Sequence, residues 1–275
     1  METIEADYVV VGAGSAGCVL AARLSEDPSV RVVVLEAGGP DRNIWIHIPI
    51  GYGKTIADPS VNWCYETEPD PGLGGRKIFW PRGKVLGGSS SINGLLYVRG
   101  QPEDYDQWRQ LGNVGWSFDD VLPYFKRSEG RVGGGDAGGL RGRDGALTVT
   151  DFNDRNPLSE AYLQAATEIG IPRNDDYNGP TQEGVGYYQT TIRNGRRCSA
   201  AVAFLKPAMK RPNLRVITRA LAERILFAGK RAVGVAFSHG GESVTVRATR
   251  EVILYGGAVN SPQLLMLSGV GAAQH

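Results

Sequence analysis

An α/β fold that opens on a parallel βαβ unit, with an antiparallel meander further along, is predicted for this 275-residue sequence, and three features carry the opening. First, the β-branched run Tyr8 to Val11 stops at Gly12, the composition of a buried parallel strand entering a tight turn. Second, apolar residues recur at Ala16, Val19, Leu20 and Leu24 before Asp27-Pro28, the three-and-four spacing of a helix with one buried face. Third, Val30 to Leu35 reads as another buried strand, closing at Glu36.

The remaining elements follow in order. Tryptophan, glycine and proline are scattered from Asp41 to Arg82, which predicts extended segments and loops packed over a sheet. Gly130 to Gly145 holds eight glycines in sixteen positions and has almost nothing apolar to bury, so it reads as a mobile surface linker without chemistry. Asn156-Pro157 starts a helix that Gly170 ends. A strand over Gly184 to Ile192 leads into Asn194-Gly195, a favoured hairpin pair, and a short helix runs from about Ala200 to Met209. Leu214 to Thr218, Ala222 to Phe227, Ala232 to Phe237 and Ser243 to Arg247 read as an antiparallel meander. The last strand, Val252 to Tyr255, breaks at Gly256-Gly257, and Ser261-Pro262 opens a helix that Gly269 closes.

Bulk properties exclude several function classes. Thirty basic against 29 acidic side chains give a formal net charge of +1, so no broad field draws in nucleic acid or an anionic membrane. Cys18, Cys64 and Cys198 stand far apart with no CxxC spacing, which argues against a metal site or a disulfide framework and fits a reducing compartment. The start, METIEAD, is acidic and the apolar run behind it is short, so neither a signal peptide nor a transmembrane segment is expected. A cytoplasmic protein is expected, with peripheral attachment to the inner membrane left open.

Gly12, Gly14 and Gly17 spell G-x-G-x-x-G between the first strand and the first helix. Gly12 allows the tight turn, Gly14 lets a pyrophosphate reach the backbone, Gly17 lets helix and strand pack closely, and the helix N-terminus faces the negative charge. The triplet alone is a weak signal. Glu36, nineteen residues beyond Gly17 at the end of the second strand, strengthens it, because a carboxylate there accepts from adenosine ribose hydroxyls and repels a ribose phosphate. The opening is thus a Rossmann-like FAD/NAD(P)-binding unit, with NADP disfavoured. In PRGKVLGGSSSINGLLYVRG, Pro81 to Gly100, the Gly87-Gly88-Ser89-Ser90 stretch offers donors for a phosphate or a flavin edge. Leu86, Ile92, Leu95 and Leu96 punctuate it with residues of the buried type, as in an internal loop packed on a ligand.

GKVLGGSSSINGLLYVRGQPEDYD, Gly83 to Asp106, resembles the first signature of the glucose-methanol-choline (GMC) oxidoreductases, and GAVNSPQLLMLSGVG, Gly257 to Gly271, is similar to the second. Within that family, VGAGSAGCVLAARLSEDPSVRVVVLEAGG is similar to the choline and aliphatic alcohol dehydrogenases of bacteria. The resemblance implies an FAD-dependent enzyme that oxidises an alcohol, with a base taking the hydroxyl proton and a hydride passing to flavin N5. It implies an FAD-binding domain over residues 1–105 and 195–275, and the beginning of a substrate-binding domain over 106–194. Carried over, Gly12, Gly14, Ser15 and Glu36 would bind the ADP half, Val85, Ser90, Asn93, Gly94 and Leu95 would line the flavin side, and Ala16, Gly17, Ala37 and Gly88 are further cofactor-binding candidates. Ala222 resembles a strand residue whose backbone contacts the adenine.

Some members tether FAD through a histidine directly before the asparagine of GGxSSxN; here Ile92 stands there, so noncovalent FAD is expected. The family's catalytic histidine belongs to a C-terminal half, before which this sequence stops, and the chain alone is expected to be incomplete. His47, in a loop, His239, in a hairpin turn, and His275 match no catalytic position and are assigned surface or packing roles, so no catalytic residue is named. Tyr105 and Trp108, on a short helix after Pro102, are expected in the core. Expected partners are a small alcohol and, as electron acceptor, oxygen or a quinone-type carrier. Two other readings stay open: a noncatalytic nucleotide-binding scaffold, and an NAD-dependent dehydrogenase, which would show no visible flavin band.

Overall fold

The computed structural model describes residues 3–135, 137–152, 154–272 and 274; His275 and the linker's Asp136 lie outside them. The chain forms two compact units, Met1–Gly94 with Ser199–His275, and Leu95–Cys198. In chain order the first unit begins with β1 (Thr3–Val11), α1 (Ser15–Leu24), β2 (Val32–Glu36), α2 (Ile44–His47), α3 (Tyr52–Thr55), β3 (Tyr65–Glu66) and β4 (Phe79–Trp80). The second unit supplies α4 (Pro102–Gln110), α5 (Phe118–Ser128), β5 (Glu129–Val132), β6 (Leu147–Asp151), α6 (Pro157–Glu168), β7 (Gln189–Thr190), β8 (Ile192–Arg193) and β9 (Arg196–Arg197). The chain then returns through α7 (Lys206–Ala208), β10 (Leu214–Thr218), β11 (Ala220–Ala228), β12 (Arg231–His239), β13 (Glu242–Leu254) and α8 (Gly257–Leu267).

The first unit is built on a six-stranded sheet in the order β10-β2-β1-β13-β12-β11. The strands from β10 to β13 run parallel, and β13, β12 and β11 form the antiparallel meander. Every residue of β2 is buried, as expected of a parallel strand covered on both faces. Val9, Val33, Leu35, Phe237 and Val246 join one apolar cluster, and each such side chain contributes about 1.5–3 kcal/mol by leaving water.

Five expectations for this unit are corrected. Leu214–Thr218 is not part of the meander: β10 pairs parallel with β2 at the opposite edge. The Asn213 amide donates to the carbonyls of Ser25, Asp27 and Val30, which fixes the start of β10 beside β2. The two strands read at Ser243–Arg247 and Val252–Tyr255 are one, β13, because polar Thr249 and Arg250 sit where the register shifts opposite Asp7 and are held by its carboxylate. α8 begins at Gly257 rather than at Ser261, which leaves Pro262 inside it. On α1 the buried face is Gly17, Cys18, Ala21 and Ala22, not Ala16, Val19, Leu20 and Leu24; the small side chains face inward because helix and strand lie too close for large ones. Residues 41–82 contain the short helices α2 and α3 besides loops, and His47 ends α2 with Nε2 2.7 Å from the Asp41 carbonyl oxygen.

In the second unit β5, β6 and β7 make a three-stranded sheet, and β8 and β9 form the hairpin expected at Asn194-Gly195, both of whose residues have positive φ (50° and 72°). The strand read over Gly184 to Ile192 shrinks to β7 and β8, since Val185 makes only an isolated bridge with Arg173. The glycine-rich segment is not a mobile linker. It contributes to β5, and its Arg141 is fully buried, its guanidinium paired with Glu129 and 2.5 Å from Asp176. The Arg143 guanidinium donates to the carbonyls of Gly133, Gly134 and Gly135. Trp108 is 46% exposed rather than core, because it packs edge-on against Tyr105 and Trp116 with one side left open; Leu96 is likewise exposed.

Candidate dinucleotide site

The first unit contains a cavity of about 720 Å³, within the usual range for small-molecule sites. Its floor is the β1–α1 turn. Gly12 holds φ at +99°, and a Cβ there would stand 2.3 Å from the Tyr255 carbonyl oxygen, so only glycine fits. Gly17 lies beneath the turn rather than in the cavity, where a Cβ would be 1.9 Å from the Gly12 oxygen. α1 starts at Gly14 without a side-chain cap and has no acidic residue in its first turn. Its first backbone N–H groups therefore lack intrahelical partners and favour negative charge. α8 also starts without a side-chain cap, and its first turn lines the same cavity.

The loop before residue 95 joins the turn directly. The Gly87 N–H donates to the Ala13 carbonyl at 2.8 Å. A Cβ on Gly88 would come within 2.7 Å of the Gly14 Cα, so the two backbones touch. Gly83, Gly88 and Ser89 line the cavity together with Gly12 and Gly14.

Glu36 closes one end. It is buried, accepts from the Ala13 N–H at 2.9 Å and the Gly38 N–H at 2.8 Å, and lines the cavity. Burial pushes its carboxyl up to about 7, while the two backbone donors and the nearby Lys84 ammonium pull the other way.

Of the residues expected to hold a cofactor, Gly12, Gly14, Ser15, Ala16, Glu36, Ala37, Gly88 and Ala222 line this one cavity. Val85 is fully buried in an apolar cluster with Ile46, Val61 and Ile92. The Ser90 hydroxyl donates to the Gly87 carbonyl and accepts from the Ala200 N–H. Asn93 and Gly94 are exposed, and Leu95 belongs to the second unit. Sequence reasoning missed the wall formed by Trp63, Tyr65, Arg82 and Asn260. Trp63 and Tyr65 stack with ring centroids 5.7 Å apart, and the Asn260 amide donates to the Tyr65 hydroxyl at 2.8 Å. No periodicity in the sequence signals it, because Cys64 between the two rings has a positive φ of 54° and breaks the alternation of an extended segment. Among the described residues no group of histidine, cysteine and carboxylate side chains could hold a metal, and no helix is long and apolar enough to cross a membrane.

The family description "GMC oxidoreductase" matches residues 6–275. The chain belongs to the GMC oxidoreductase family. It is 50% identical to the mitochondrial choline dehydrogenase of Homo sapiens over 98% of the chain and 46% of that protein. Among solved structures, pyridoxine 4-oxidase from Mesorbium loti superposes with a TM-score of 0.93 at 36% identity, over 98% of the chain and 53% of that structure. An FAD-dependent oxidoreductase from Chaetomium thermophilum superposes with a TM-score of 0.89 at 33% identity, over 98% and 48%. The chain thus spans about half the length of the curated relatives it matches. Membership of the GMC family and likeness to flavoprotein structures imply FAD as the dinucleotide.

Proposed function

We propose that this chain binds FAD noncovalently and forms the dinucleotide-binding part of a GMC enzyme that oxidises an alcohol. The observation that carries the proposal is the single cavity on which the glycine turn, Glu36 and the Gly83–Ser89 segment converge. FAD, when bound, supplies acceptance of a hydride from the alcohol carbon. The chain's own groups bind and orient. The capless N-terminus of α1 suits the pyrophosphate. Glu36 keeps free acceptor positions for ribose hydroxyls beyond the two backbone donors it already serves. Ala222, on β11, lines the cavity, which supports an adenine contact there. Ile92, 3% exposed among apolar neighbours, offers no nucleophile for a covalent tether. Val85, Ser90, Asn93, Gly94 and Leu95 remain our assignment for the flavin side.

For the whole enzyme we infer a small primary alcohol of the choline type as substrate, supported by the identity to a choline dehydrogenase, and oxygen or a quinone-type carrier as acceptor. The absorption spectrum of the purified chain tests the cofactor. Visible flavin bands that pass to the supernatant on denaturation are expected. Colour that stays with the precipitated protein would overturn the noncovalent reading, and nicotinamide absorbance without a visible band would overturn FAD.

A further inference from the structure

Cys18 sits on the first turn of α1, away from the surface and outside the cavity lining. Its thiol lies at a junction of three segments. The sulfur is 3.1 Å from the Ala13 carbonyl oxygen, to which the S–H donates. That same oxygen accepts the Gly87 N–H at 2.8 Å, and Gly87 also lies within reach of the sulfur. The Ala13 N–H, on the other side of the same residue, donates to Glu36. Ala13 therefore ties the glycine turn to the end of β2 through its N–H and to the Gly83–Ser89 segment through its carbonyl.

A carbonyl oxygen has two lone pairs, and a buried one is satisfied best when both are used. The Gly87 N–H fills one and the Cys18 thiol the other. The two donors fix the Ala13 peptide plane, and that plane sets the direction of the backbone into Gly14 and the first N–H groups of α1. Alternative roles for the thiol fit worse. It is fully buried, and burial and the Glu36 carboxylate push it up to about 12, so it stays protonated and remains a donor. A protonated, buried thiol is neither a nucleophile nor a metal ligand.

We propose that Cys18 is a positioning residue for the cofactor: its S–H, donating to Ala13, holds the glycine turn in the shape that receives the dinucleotide phosphates, without touching them. This inference rests on the flavin reading given above.

The test compares FAD binding by the cofactor-free chain with that of Cys18→Ala and Cys18→Ser, followed by quenching of flavin fluorescence, with thermal unfolding of each cofactor-free protein measured in parallel. Cys18→Ala removes the donor and should weaken FAD binding about fivefold, the effect of one lost hydrogen bond. Cys18→Ser restores a donor and should recover most of that affinity, even where the smaller oxygen packs less well and lowers the unfolding temperature. A serine variant as weak as the alanine variant overturns the proposal, because packing alone would then explain both. So does an alanine variant that binds as tightly as the parent. Should the alanine variant fail to fold, the serine variant decides alone: FAD affinity within about fivefold of the parent is expected, and a greater loss overturns the proposal. A parent chain that binds no FAD brings down the flavin reading itself, and this inference with it.

Discussion

The two units hold themselves together by different means. In the first, valine, isoleucine, leucine and phenylalanine from six strands form the core, and buried apolar residues far outnumber buried polar ones among the described residues. In the second, buried polar and charged residues outnumber buried apolar ones among the described residues. Arg99, Glu129, Arg141, Asn178 and Gln189 make one connected network, in which Glu129 receives both arginines and the Gly142 N–H. Hydropathy patterning detects the first kind of core and is blind to the second, because a paired arginine looks like any surface arginine along the sequence.

The sharpest way to break this contrast is to remove the hub. Glu129→Gln leaves Arg99 and Arg141 buried with a neutral partner, and an uncompensated buried charge costs about 3–5 kcal/mol. Urea unfolding followed by tryptophan fluorescence should show a loss of that size. A loss under about 1 kcal/mol would mean that the network is a passenger on packing done elsewhere.

Next in size is the effect of pH on the cofactor-free protein through Glu36. Its folded value of about 7 lies above the ordinary 4.5, so the folded state binds the proton more tightly. The stability this contributes is full below about pH 4.5 and is lost as pH rises through 7, a difference of up to ~3 kcal/mol between pH 4.5 and pH 8. Unfolding midpoints taken across that window should fall as the pH rises, and Glu36→Gln should flatten this component. The two carboxylates frame the comparison: Glu129 is buried against two guanidinium groups, Glu36 against backbone donors and an open cavity.

The same contrast explains what could be read from the sequence. The βαβ unit, the glycine turn and the acid at the end of β2 were legible, since each depends on local composition and on a spacing fixed by backbone geometry. The pairing of β10 was not, because the Asn213 side chain that anchors it reaches carbonyls more than 180 residues away. The inward face of α1 was misread for a related reason. Close contact between Gly17 and Gly12 selects small residues there, and hydrophobic periodicity weights large ones. The Gly130–Gly145 segment has the composition of a linker because its burial is carried by Arg131 and Arg141. At the site, the floor was legible and the aromatic wall was not, since Trp63 lies in a loop and Tyr65 in a two-residue strand, too short for any periodicity to report.

A smaller change probes the apolar core on its own terms. Ile225 is 4% exposed and packs in the cluster of the first unit. Ile225→Val removes one methylene and should cost about 1 kcal/mol in urea unfolding, well below the cost at Glu129. An equal or larger cost would place the weak point of the chain in the sheet instead.

The least effect is expected where charge is exposed. Glu5 and Arg31 pair at 3.0 Å with side chains 56% and 55% accessible, so water screens them and the pair contributes under about 1 kcal/mol. Glu5→Gln should move the urea midpoint by no more than the repeat error, and raising the salt concentration should erase whatever remains. The Glu129 deficit should persist at the same salt, because counterions do not reach a buried carboxylate. Should salt abolish both deficits, the second unit's network would be open to solvent, and the distinction between a charged core and a charged surface would fail.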